Sequence, residues 1–103
     1  MRKSLLFLVI LISLEAVNAQ AVLRTEAAEY KHGDVALEGY LAYDDALQGK
    51  RPGVIVVHEH WGLNAYAKMR TEQLARLGYI AFAIDMYGKG IRAKDSAEAV
   101  SLS

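Results

Sequence analysis

Residues 54–64 read VIVVHEHWGLN. Four β-branched apolar residues run straight into two histidines flanking a carboxylate, then an indole and a glycine. Three kinds of chemistry suit these residue types. The first is metal binding. Along an extended backbone His58 and His60 point to one side and Glu59 to the other. Zinc needs at least one more protein ligand, however, and the remaining histidine, His32, lies in a distant turn. The helical His-Glu-x-x-His spacing is also absent. The second is an enzyme's active-site rim, set where an apolar strand gives way to polar side chains. The third is a solvated loop in which Trp61 merely covers a sheet edge. Glu59 weighs against this last reading. It follows an apolar strand directly and sits beside a large aromatic, where an unpartnered buried carboxylate is costly.

The flanking elements must position these residues. Residues 22–30 and 35–43 suit strands, and the turn signal KHGD at 31–34 lies between them. In the second strand Val35, Leu37 and Leu41 alternate with polar or small positions, as in a half-exposed antiparallel hairpin at a sheet edge. Pro52 cannot donate to a sheet ladder, so the next strand starts after it. Residues 54–57 form a continuous apolar run, the pattern of a parallel strand covered on both faces. Asn64 is a good N-cap and Gly78 a good residue just past a helix C-terminus. On the intervening helix Tyr66, Ala67, Leu74 and Leu77 share a face, and Lys68, Glu72 and Arg76 lie opposite. Arg70 falls in the middle of the apolar face. Either it snorkels, stem packed and head in water, or it reaches a carboxylate at the sheet, Asp85 or Glu59. A second apolar run, YIAFAI at 79–84, completes a βαβ unit with a right-handed crossover and parallel strands. In open α/β sheets ligands bind beyond the carboxyl ends of such strands. The loops at 58–63 and 85–89 lie there.

The ordered set Glu59, Trp61, Gly62, Asn64, Gly78, Tyr79, Asp85 and Tyr87 resembles the dienelactone hydrolase family of α/β-hydrolases, over residues 54–90. Residues 22–53 match that family only in general layout. The resemblance implies the N-terminal part of an α/β-hydrolase fold, an edge β-hairpin plus a parallel βαβ unit. It also implies a carboxylic ester or lactone as small-molecule substrate, a covalent acyl-enzyme, and no metal or organic cofactor. By position, the His60 backbone amide would serve the oxyanion hole, Glu59 would tune the nucleophile's protonation, and Trp61 would line the substrate pocket.

One departure is plain. The family nucleophile is a cysteine, or a serine in relatives, on a Gly-x-Cys/Ser-x-Gly elbow. This chain contains no Cys, and none of Ser4, Ser13, Ser96, Ser101 and Ser103 lies in such a motif. Asp95 and Glu98 open a new helix in capping-box spacing, and the sequence ends within about two turns of it. The expectation is a chain truncated before the nucleophile elbow and inactive by itself. The reading from a different class is a non-catalytic secreted binding module that uses the Trp61 loop as its contact surface. A metal-binding module ranks third.

Residues 1–21 read as a secretory signal peptide. Arg2 and Lys3 precede an apolar stretch at 5–14, and small residues follow, with cleavage expected after Ala19 or Ala21. That stretch is too short to span a bilayer comfortably, so the processed chain, residues 22–103, is expected to be secreted or periplasmic without stable membrane insertion. Across all 103 residues the formal net charge is zero, with both signs interspersed; no basic footprint for nucleic acid is present.

Overall fold

A computed structural model describes residues 22–103; the expected signal peptide lies outside the described residues. Strands β1 (Leu23–His32) and β2 (Val35–Asp44) form an antiparallel hairpin, paired from Leu23↔Asp44 to His32↔Val35. Only Gly33 and Asp34 turn, with Gly33 at φ 59°, so the hairpin is tighter than the four-residue turn signal suggested. After Pro52 come β3 (Gly53–Val57), helix α1 (Ala65–Arg76) and β4 (Ile80–Ile84). The four strands lie in the order β1-β2-β4-β3. β3 and β4 are parallel, from Gly53↔Ile80 to Val57↔Ile84, and β2 meets β4 antiparallel over Tyr40–Ala42. This is the expected edge hairpin joined to a parallel βαβ unit. A short helix α2 (Ser96–Leu102) ends the chain, its first turn capped by Asp95 accepting from the Glu98 N–H. No helix among the described residues is long and apolar enough to cross a membrane.

Local chemistry sets the limits of α1. The Asn64 side chain accepts from the Ala67 N–H at 3.1 Å. At the other end the Gly78 and Tyr79 amides fold back onto the carbonyls of Ala75 and Leu74, with Gly78 at φ 106°. That paired closure is the Schellman arrangement, and its positive φ suits glycine.

The helix packs through small residues. Ala67, Thr71 and Ala75 on α1 and Ala42, Ala81 and Ala83 on the sheet are all 5% exposed or less, and Leu63 closes the layer. Such a surface brings the helix axis close to the strands, and large side chains are turned out. The expected helix face is therefore corrected. Ala67 faces the sheet and Leu74 is half-buried, but Tyr66 and Leu77 are 53% and 76% exposed. Lys68 and Glu72, expected to face away, reach Tyr40: the ammonium lies 5.3 Å from the ring centroid, and the phenol donates to Glu72 Oε1 at 3.3 Å. Arg70 is exposed and donates to Gln73 Oε1 at 3.0 Å. It reaches neither Asp85 nor Glu59. On the sheet face opposite α1, Ile55 and Val57 are 61% and 62% exposed, so the continuous apolar run in β3 is covered on one side only among the described residues.

Candidate active-site rim

Because β3 and β4 are parallel, the loops leaving Val57 and Ile84 emerge side by side. His58 joins them. Its Nε2 accepts from the Met86 N–H at 3.1 Å, and its Nδ1 lies 2.7 Å from the Glu59 carbonyl oxygen. An acceptor at Nε2 and a carbonyl facing Nδ1 require the neutral ring with its proton on Nδ1. The buried ring also stacks edge-on against Tyr87, with centroids 4.9 Å apart.

The loop backbone is held carbonyl by carbonyl. Glu59 O accepts from His58 Nδ1 and from the Gly62 N–H at 3.1 Å. His60 O accepts from the Tyr87 hydroxyl at 2.8 Å. Trp61 O accepts from the Ala93 N–H and Gly62 O from the Asn64 N–H, both at 2.9 Å. Gly62 sits at φ 97°, and a Cβ there would lie 2.9 Å from Ile91 O, so the loop passes where only glycine fits. In contrast, the His60 N–H has no hydrogen-bond acceptor among the described residues. The side chains of Glu59 and His60 are exposed, and Trp61 is half-buried with its ring system 4.3 Å from the His60 imidazole.

The three residues singled out by sequence, Glu59, His60 and Trp61, thus lie together at the carboxyl end of β3. The expectation that Glu59 is buried is corrected: the strand stops at Val57 and the chain turns outward at His60 and Trp61. Glu59 and Trp61 line an open groove with Arg70 and the free edge of β3. His58 and His60 do not converge, since one is buried with both nitrogens engaged and the other is exposed. Among the described residues no three His, Cys, Asp or Glu side chains gather as a metal site would require.

Asp85 belongs to the scaffold of the rim. It is 3% exposed; Oδ2 accepts from the Glu38 N–H, and Oδ1 from the Tyr87 and Gly88 N–H groups, each at 3.0 Å. Burial opposes its charged form but is outweighed by these three amides and by the Arg92 charge, and its pKa lies below the ordinary carboxylate value. Tyr30 adds a further tie, its hydroxyl accepting from the Asp85 N–H at 2.8 Å and lying 3.0 Å from the Asp85 carbonyl. Sequence reasoning missed the work of His58, Tyr87 and Ala93. Only Tyr87 carried a signal, as the aromatic two residues after Asp85.

Comparison with known proteins adds an independent finding. The model of the dienelactone hydrolase family matches residues 37–103. A protein of Escherichia coli (strain K12) named "Putative hydrolase fragment YghX" is 46% identical over 54 residues, which are 52% of this chain and 44% of that protein. The solved structure m3DLH superposes with a TM-score of 0.73 at 35% identity, covering 77% of this chain and 33% of its own. The dienelactone hydrolase-like promiscuous phosphotriesterase P91, from metagenomic libraries, gives a TM-score of 0.71 at 36% identity over 80% of this chain and 34% of its own. The chain therefore spans between a third and a half of the length of these relatives.

Proposed function

The chain belongs to the dienelactone hydrolase family, and from that premise we propose that the full-length protein hydrolyses a carboxylic ester or lactone, with residues 58–64 as the oxyanion side of the site. One observation carries the reading. The His60 N–H, at the carboxyl end of a parallel strand, has no acceptor among the described residues, and the carbonyls of residues 59–62 on either side of it are all held. An amide held in this way can stabilise the oxyanion of a tetrahedral intermediate without reorganising. The nucleophile adds to the acyl carbon, the alcohol leaves as the C–O bond breaks, and water then releases the acid. Glu59 exchanges protons with the nucleophile, and Trp61 lines the acyl or lactone pocket. The nucleophile is assigned to the part of the family fold that this chain does not span, since none of its serines lies on an elbow motif and it has no cysteine. The work is done by protein groups without a cofactor. The same amide suits a phosphoryl oxygen, and a phosphotriester joins the substrate panel because P91 is named a promiscuous phosphotriesterase. Arg2, Lys3 and the apolar stretch at 5–14 support export to the periplasm or beyond after cleavage at Ala19 or Ala21. Exported protein with Met1 at its N-terminus would overturn that part.

The test is Glu59→Gln in the full-length protein, which keeps the shape and removes the charge. Turnover of p-nitrophenyl acetate and of a simple lactone should fall ~10²–10⁴-fold, the scale of acid–base assistance, with the circular dichroism spectrum unchanged. Full-length protein that is folded yet hydrolyses nothing above the buffer rate overturns the reading. A Glu59→Gln variant as fast as the parent removes Glu59 from the mechanism.

A further inference from the structure

We propose that His58 is a positioning residue for the oxyanion amide: its Nδ1–H holds the Glu59 carbonyl, and so sets the direction of the His60 N–H in the same peptide group. This rests on the functional reading above and extends it to a residue which that reading leaves as scaffold. The peptide unit is planar and, as no cis bond is present, the Glu59 C=O and the His60 N–H point in opposite directions. Whatever fixes one aims the other. Two donors meet the carbonyl oxygen, His58 Nδ1 at 2.7 Å and the Gly62 N–H at 3.1 Å. The second comes from the Gly62 amide, which belongs to the same loop. The first comes from a buried ring that is itself fixed twice, by the Met86 N–H at Nε2 and by the edge-on contact with Tyr87. The aim of the amide is thereby referred to the end of β4 rather than left to its own loop.

The alternative is that His58 only braces the ends of β3 and β4. The two ring nitrogens separate these roles, because one serves the amide and the other the brace. An asparagine side chain can place an N–H near the Nδ1 position, and a glutamine can place a carbonyl near Nε2. His58→Gln therefore keeps the acceptor for Met86 and loses the donor to Glu59, and His58→Asn does the reverse.

Steady-state kinetics on the full-length protein with p-nitrophenyl acetate decide between them. Deleting an oxyanion donor outright costs ~10²–10³ in kcat, and misaiming one should cost less. The expected result is a kcat lower by ~10–100-fold in His58→Gln with KM within ~3-fold, and recovery of most of that loss in His58→Asn. Equal losses in the two variants, no loss in either, or a loss confined to His58→Asn would each overturn the proposal in favour of the brace. One measurement needs no variant. Nitrogen-15 spectra of the wild-type imidazoles should show His58 protonated on Nδ1 and bare on Nε2; the opposite tautomer overturns the proposal even if neither variant folds. A wild-type protein without hydrolase activity would instead sink the functional reading, whatever tautomer His58 holds.

Discussion

The sharpest test of the scaffold beneath the rim is Asp85. Continuing the β2–β4 register past Tyr40↔Ala83 would set Glu38 opposite Asp85, but β4 ends at Ile84. The Asp85 carboxylate takes over there, accepting the Glu38 N–H with Oδ2 while Oδ1 closes the turn through Tyr87 and Gly88. Asp85→Ala leaves all three amides without this acceptor. The bond to Gly88 is buried and the other two are part-buried. An unsatisfied buried donor costs ~1–3 kcal/mol and one that water can reach less, so the sum is on the order of 3 kcal/mol. With an m-value of ~2 kcal/mol/M in urea, the unfolding midpoint of the full-length protein should fall by about 1.5 M. Asp85→Asn keeps the Oδ1 acceptor but sets an amide against the Glu38 N–H, and should lose roughly half as much.

The same residue sets a pH dependence. The folded-state pKa of Asp85 lies below its ordinary value, so folding favours the charged form. That stability is present above the unfolded value, ~3.9, and is lost as pH falls through the lower folded value. Urea midpoints across this range should therefore show the gap between wild type and Asp85→Asn closing as the solution is acidified. A loss below about 0.5 kcal/mol for Asp85→Ala, the size of an ordinary surface substitution, would refute the reasoning. So would a gap that does not change with pH.

Three further outcomes are expected. Arg70→Met should leave the unfolding midpoint within about 0.5 kcal/mol of the parent, because Arg70 is exposed and bonds only to Gln73 among the described residues; a clear drop would restore a buried partner. Gly62→Ala should destabilise by ~1–3 kcal/mol through its positive φ and the approach to Ile91 O, and should lower kcat beyond what unfolding explains, as read from melting curves and initial rates. Residues 22–103 expressed alone should aggregate or remain molten and show no esterase activity, given the exposed Ile55 and Val57 and the open edge of β3; a monodisperse monomer with a sharp thermal transition would contradict this.

Much of the fold was legible in the sequence because its limits are set by local chemistry. Pro52 cannot pair in a ladder, Asn64 caps by reaching three residues ahead, Gly78 takes a positive φ, and Asp95 caps in the same way as Asn64. Each acts through neighbours in the chain. The buried face of α1 was misread because it depends on how closely the helix approaches the sheet. A wheel weights Tyr66 and Leu77 for their apolar area, whereas packing at close range selects Ala67, Thr71 and Ala75. Arg70 was misplaced by the same error, since its position was inferred from that face. At the rim, the identity of the loop was readable but its wiring was not. The Met86 amide that meets His58, the His60 carbonyl that meets Tyr87 and the Trp61 carbonyl that meets Ala93 are backbone atoms far along the chain, beyond the reach of local capping rules.

This wiring also explains why so apolar a strand ends in so polar a run. Parallel strand ends leave backbone groups that no ladder satisfies, and near the core those groups need partners. His58, Asp85 and Tyr87 supply them from side chains, engaging the backbone of Glu59, His60, Met86, Glu38 and Gly88 between them. Among the groups left over are the exposed Glu59 carboxylate and the His60 amide, an N–H without an acceptor among the described residues. A loop without chemistry needs those partners too, but it gains nothing further from the rigidity they confer. An electrostatic site does gain, because a dipole stabilises a developing charge best when it need not turn to meet it. The side chains of His58, Asp85 and Tyr87 are thus the support, and under the proposed function the His60 amide between them is where a substrate oxygen would be met.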